Sequence, residues 1–128
     1  MTVRIVRLGT ARWPDEGLRI GTVRRPPRGV PKSEFSRQNW YDVWYPTLAP
    51  SAATLKLGQQ ADTAAGWTAF ARKYRSEMGQ PHPAQTIALL AKLSHHANFS
   101  VGCYCEDAAR CHRSILRMLL EEQGAAVI

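Results

Sequence analysis

Residues 103–114, reading Cys-Tyr-Cys-Glu-Asp-Ala-Ala-Arg-Cys-His-Arg-Ser, gather the side chains of this 128-residue chain best suited to chemistry. The run from Phe99 to Cys105 has the β-branched and aromatic content of a buried strand, and Asp107 is a natural N-cap for a helix reaching about Gln123. A strand-to-helix junction leaves unpaired backbone N–H groups pointing outward, and these attract anions. In the first turns of that helix, Cys111 is biased toward its thiolate by the macrodipole and by neighbouring arginines, as nucleophilic cysteines are. His112 could then carry a proton, Arg113 could grip a phosphate or carboxylate through two parallel bonds, and Ser114 could offer a hydroxyl. Cys111 and His112 are thus the candidate catalytic residues, with Arg113 and Ser114 as anion-binding partners.

The same residues admit a plainer reading. Adjacent helical residues point about 100° apart, so they cannot all line one pocket. Cys111 lies four residues before Ile115 and His112 four before Leu116, so either can extend the helix's buried stripe. A phosphatase or sulfurtransferase loop, in which a cysteine and an arginine bracket five residues, does not fit: counted from Cys105, the arginine belongs at position 111, which is Cys111. A zinc site is not expected either. Cys103 and Cys105 lie about 7 Å apart along a strand, Cys111 and His112 should diverge on a helix, and neither metal nor cofactor is assigned. A Cys105–Cys111 disulfide is conceivable, but thiols in a reducing compartment usually stay reduced. His82, His95 and His96 receive no role; the last two end a helix, where polar residues complement the dipole.

A length of 128 residues suits one α/β domain spanning 1–128, with 45% hydrophobic and 21% charged residues. No apolar run approaches the roughly 18 residues of a membrane span. Arginines interrupt the apolar residues of Met1 to Arg7, which reads as a strand rather than a secretory signal, so a cytoplasmic location and no membrane partner are expected. The net charge of +7 is uneven: residues 1–37 hold nine arginines or lysines against three acids. Such a clustered field concentrates anions, either nucleic acid or an anionic small molecule, although arginines can also simply keep a face soluble.

Strands are expected near residues 3–8, 18–23 and 99–105, with a possible fragment at 126–128. Residues 24–31 hold three prolines and a glycine and form a basic loop carrying Arg24 and Arg28. Residues 33–50 read as irregular, aromatic packing. Helices should follow near 51–57 with Ser51 as cap, from Asp62 to Gly79, and from Pro83 to about His96. Strands alternating with helices predict a small, mainly parallel sheet of three to four strands flanked by helices, a Rossmann-like layer architecture. Open sheets of this kind place ligands beyond the carboxyl ends of their strands.

Arg24 to Gly29, Leu48-Ala49-Pro50-Ser51 after Trp40, the aromatic helix with Trp67, Phe70 and Tyr74, and Cys111-His112-Arg113-Ser114 together resemble the YeaO-like proteins of domain-of-unknown-function family 488. The resemblance covers most of the chain and implies the fold and the suspect residues, with no established activity. Many such relatives have Asp-Arg-Leu-Trp before Pro-Arg-Gly, where this chain has Val23-Arg24-Arg25-Pro26, and often Asn-His where it has Cys111-His112.

Combining both lines, Arg24 and Arg28 should meet His112 and Arg113 over one cleft. The leading expectation is a site for a phosphate-bearing or other anionic small molecule, with catalysis as an option. A nucleic-acid-binding accessory protein using the basic N-terminal third, or a structural or partner-binding protein, are the alternatives. The sequence sets no oligomeric state.

Overall fold

The computed structural model describes residues 1–128 except the side chain of Ala108. Four strands, β1 (Val3–Arg7), β2 (Leu18–Gly21), β3 (Val43–Trp44) and β4 (Phe99–Cys103), form one sheet in the order β1-β4-β2-β3. Every neighbouring pair is parallel, with Arg7 opposite Cys103 and Gly21 opposite Gly102, so all carboxyl ends emerge along one edge. Four α-helices follow: α1 (Ala52–Gln59), α2 (Ala64–Met78), α3 (Pro81–Leu93) and α4 (His112–Glu122). The architecture is α/β, as the sequence pattern predicts. No described helix is long and apolar enough to cross a membrane.

The two sheet faces are covered by different means. On one, Val3, Ile20, Phe99 and Val101 pack against Phe70, Tyr74 and Met78 of α2, Ile87 and Leu90 of α3, and Ile115, Leu116 and Leu120 of α4. These helical residues recur at three- and four-residue intervals, which puts them on one side of each helix. Burying each large side chain contributes about 1.5–3 kcal/mol. The opposite face is roofed by loops. Gly102 lies close against strand β1 and Leu8: a Cβ there would stand 2.5 Å from the Val6 carbonyl oxygen and 2.9 Å from Leu8 Cδ2, so no larger residue fits. The same face buries an ion pair. Arg19 donates from Nε and Nη2 to Glu16 at 2.6 and 2.8 Å, and from Nη1 to the Thr10 and Asn39 carbonyls, while Ser100 Oγ donates to Glu16.

Several expectations need correction. The first three strands are joined by loops and short 3₁₀ turns rather than helical crossovers, because α1, α2 and α3 all lie between β3 and β4. Strand β3 falls inside the supposedly irregular aromatic segment, where its two exposed residues carry no apolar alternation to reveal it. Helix α1 continues through Gly58, and Thr63 rather than Asp62 caps α2 by accepting from the Gly66 N–H. Helix α3 begins at Pro81, two residues before the proline assigned that place, and ends at Leu93. Asp107 caps only a 3₁₀ turn, and the last helix starts at His112. The C-terminal fragment is a single bridge between Val127 and Val3.

Candidate functional site

Because all strands run the same way, the segments following β1, β2 and β4 converge at one edge of the sheet. They enclose a cleft of about 750 Å³ whose walls include Arg7 from β1, Arg24, Arg25 and Arg28 from the basic loop, and Cys105 and His112 from the junction. Among the described residues no carboxylate lines it. Trp40 and Tyr104 supply aromatic surface on the same wall. A second depression of about 350 Å³ adjoins it, lined by Arg7, Arg113, Ser114 and Arg117, so Arg7 belongs to both.

The basic loop is fastened rather than loose. Arg24 donates from Nε to the Pro50 carbonyl at 3.0 Å and from Nη2 to the Pro46 and Ala49 carbonyls at 3.2 Å. Tyr104 Oη donates to the Arg25 carbonyl at 2.9 Å, and Gly29 turns the chain with φ +75°, a backbone region favourable to glycine. Arg25 and Arg28 are exposed on this pinned segment. Leu48 to Ser51 complete the fastening. The Leu48 carbonyl accepts from Tyr74 Oη at 2.7 Å, and Ser51 donates to Glu77 from both N and Oγ. This motif, suggestive on sequence grounds, is thus occupied with holding the loop and α1 in place.

At the junction, Cys111 and His112 do not diverge as expected. Cys111 precedes α4 with extended backbone, φ −130° and ψ 149°, so the helical 100° step does not apply to it. Its Sγ lies 3.8 Å from His112 Nδ1 and in disulfide-type contact with Cys103 Sγ; the partner is therefore Cys103, not Cys105, which is free. The three potential ligand atoms of Cys103, Cys111 and His112 fall within 4.8 Å of one another. His112 Nε2 is 2.7 Å from the Thr22 carbonyl oxygen. A carbonyl only accepts, so Nε2 carries the proton and Nδ1 presents its lone pair toward the sulfur. Burial pushes the imidazole pKa down to about 4 despite that hydrogen bond, so the ring is neutral near pH 7.

Cys105 at the end of the strand turns outward. Burial pushes its thiol up, against the opposing pull of Arg113 and Arg7, so the resting thiol is protonated more readily than an ordinary one. Arg113 is 5% exposed, yet its Nε and Nη1 have no hydrogen-bond partner. Burial pushes its pKa down, partly offset by Cys105. Ser114 Oγ donates to the Cys111 carbonyl at 2.8 Å. The sites predicted from sequence therefore fall into three neighbouring groups: Arg24, Arg28 and His112 on the larger cleft, Arg113 and Ser114 on the smaller depression, and Cys111 behind the wall. Arg7, Cys103 and Cys105 were not singled out for a site. For Arg7, the signal was its place at the carboxyl end of the first strand.

Residues 3–124 match the model of the family described as the active DUF488-N3 subclade, DUF488-N3a. The chain belongs to this DUF488 family. The match spans both the basic loop and the Cys111-His112 junction, so it takes in every residue of the cleft named above. No curated protein and no solved structure matches the chain.

Proposed function

We propose that this DUF488 protein binds a phosphate-bearing or other anionic small molecule across the two depressions that share Arg7. The observation carrying this reading is Arg113, a buried guanidinium whose Nε and Nη1 lack partners beside a depression lined by Arg7 and Arg117. Buried polar groups are almost always satisfied, so these unpartnered N–H donors call for an acceptor, and an oxyanion such as phosphate or carboxylate supplies a charge-assisted one. The oxyanion binds there, with Ser114 at its edge, and the remainder of the molecule extends over the larger cleft. Arg25 and Arg28 meet further charge, and Arg24 holds the loop that presents them. A cleft of this size suits a small molecule, and Trp40 favours a flat ring such as a base.

The test is thermal unfolding and titration calorimetry with inorganic phosphate, pyrophosphate and nucleoside monophosphates. At least one should raise the midpoint of unfolding. Arg113→Met should weaken binding of all of them by about tenfold or more, as loss of a charge-assisted contact costs about 1.5–3 kcal/mol. Arg25→Ala with Arg28→Ala should weaken the larger ligands more than phosphate. No response to any anion, or an unchanged response in the Arg113 variant, overturns the reading.

Nucleic acid is the second reading, favoured by Trp40 standing within an arginine-lined cleft. It predicts affinity for a single-stranded oligonucleotide that falls steeply with salt and depends on Arg25 and Arg28. A flat salt response would exclude it.

A further inference from the structure

We propose that Cys103, Cys111 and His112 form a binding site for one thiophilic divalent cation, with zinc the best fit and a fourth coordination position facing the cleft. This goes beyond the anion-binding reading and uses different atoms.

One strand-to-helix junction brings the donors together. Cys103 ends β4, Cys111 is the extended residue before α4, and His112 opens α4 with its ring held edge-on to Tyr74, centroids 5.4 Å apart. All three are at most 5% exposed. Two sulfurs and one imidazole nitrogen are a soft donor set suited to zinc, and harder cations such as magnesium and calcium prefer oxygen.

The distances agree with this ion. Zinc–sulfur bonds of about 2.3 Å and zinc–nitrogen bonds of about 2.0–2.1 Å give a tetrahedral sulfur-to-nitrogen edge of about 3.6 Å. The Cys111 Sγ to His112 Nδ1 distance is 3.8 Å. The same bonds set two sulfurs about 3.8 Å apart, which requires only side-chain rotation of the cysteines to separate their sulfurs. Their Cα atoms are 7.8 Å apart. Ordinary disulfides span about 4.4–6.8 Å between Cα atoms, so this backbone spacing favours two thiolates around an ion over a covalent pair.

The surroundings also match. A histidine that ligates metal usually donates its other ring N–H to a carbonyl or carboxylate, which fixes the ring and its tautomer. His112 does so to Thr22, with Thr22 Oγ1 a further 3.4 Å neighbour. Cys103 and His112 both reach the cleft wall, so the fourth position opens there, as in zinc sites that keep one place for water or a ligand. Binding replaces two thiol protons: the cation forms two metal–sulfur bonds and one metal–nitrogen bond, and two protons leave to solvent. The bound centre is neutral, since two thiolates balance a divalent charge. Oxidation of the pair to a disulfide would remove both donors, so the test uses reduced protein.

The full chain is reduced, stripped with chelator and titrated with cobalt(II), then with zinc. One cobalt per chain should bind, with thiolate-to-metal charge-transfer absorption and the intense visible bands of a tetrahedral site, and zinc should displace it. Cys103→Ser and Cys111→Ser should each lose most of the charge transfer and weaken binding about 100-fold or more; Cys105→Ser should retain both. Should a cysteine variant fail to fold, the native chain still decides: zinc should protect Cys103 and Cys111 from alkylation and leave Cys105 reactive. Absence of charge transfer in the reduced native chain, its survival in Cys103→Ser, or protection of Cys105 alone overturns the proposal. Phosphate binding is read separately, so either result can fail without the other.

Discussion

Arg19 and Arg113 are both buried guanidiniums, and they occupy opposite kinds of surroundings. Arg19, on the loop-covered face, is fully buried, and all three of its nitrogens donate, two to Glu16 and one to the Thr10 and Asn39 carbonyls. Arg113, at the start of α4, is nearly as buried, with two nitrogens that donate to nothing. The first has the contacts of a structural residue, and the second has the unused donors on which the proposed anion site rests. Burial alone does not separate the two; completeness of hydrogen bonding does.

Removing Arg19 sharpens this contrast most. Arg19→Met should cost about 3–5 kcal/mol in urea unfolding, because it leaves the Glu16 carboxylate buried without its cation. The same variant should reverse the local pH dependence. Burial pushes the Glu16 pKa up, but hydrogen bonds from Arg19, Ser100 and the Trp13 backbone outweigh it and hold the group below 4.5. Its contribution in the native protein is therefore present above that value and is lost as pH falls through it toward the depressed folded pKa. With Arg19 gone, burial prevails and the folded pKa rises. The penalty should then grow with pH above about 4.5, so the stability gap between the two proteins should narrow when unfolding is measured at pH 4.5 rather than 7. A gap independent of pH would contradict the assignment of Glu16.

Arg24 falls between these extremes, since it lines the cleft yet donates to three carbonyls. Arg24→Ala should destabilise the chain by about 1–3 kcal/mol, the cost of leaving buried acceptors unmet. Amide exchange in residues 46–51 should quicken in step. A variant of native stability that only weakens anion binding would place Arg24 with Arg113 instead.

What was legible in the sequence follows the same division. The helix-covered face was readable because Phe70, Tyr74 and Met78, or Ile115, Leu116 and Leu120, carry their burial in their spacing. The loop-covered face was not: Glu16 stands only three residues before Arg19, but burial of the pair depends on Ser100 and on the Thr10 and Asn39 carbonyls meeting it, contacts that no local pattern reveals. At the site, the convergence of the basic loop with His112 was foreseeable from parallel strands sharing one edge. The cluster of Cys103, Cys111 and His112 was not, because Asp107 has the residue type of an N-cap for a full helix and so points to Cys111 lying within its first turns. Four residues of helix in place of a 3₁₀ turn and an extended residue would have swung Cys111 away from Cys103.

The smallest expected effect is the most discriminating. In the absence of any anion, Arg113→Met should change stability by no more than about 1 kcal/mol, and it could stabilise, because an apolar side chain of similar length removes two unsatisfied donors from a buried position. Urea unfolding in a buffer free of phosphate and sulfate measures this directly. Adding phosphate should then separate the proteins, since a ligand that binds only the folded state contributes about 2.7 kcal/mol at a hundred times its dissociation constant. The native chain should gain that increment and the variant should not. A loss of about 3 kcal/mol or more in the anion-free buffer would mean that Arg113 is held by the protein as Arg19 is, and the contrast between the two arginines would collapse.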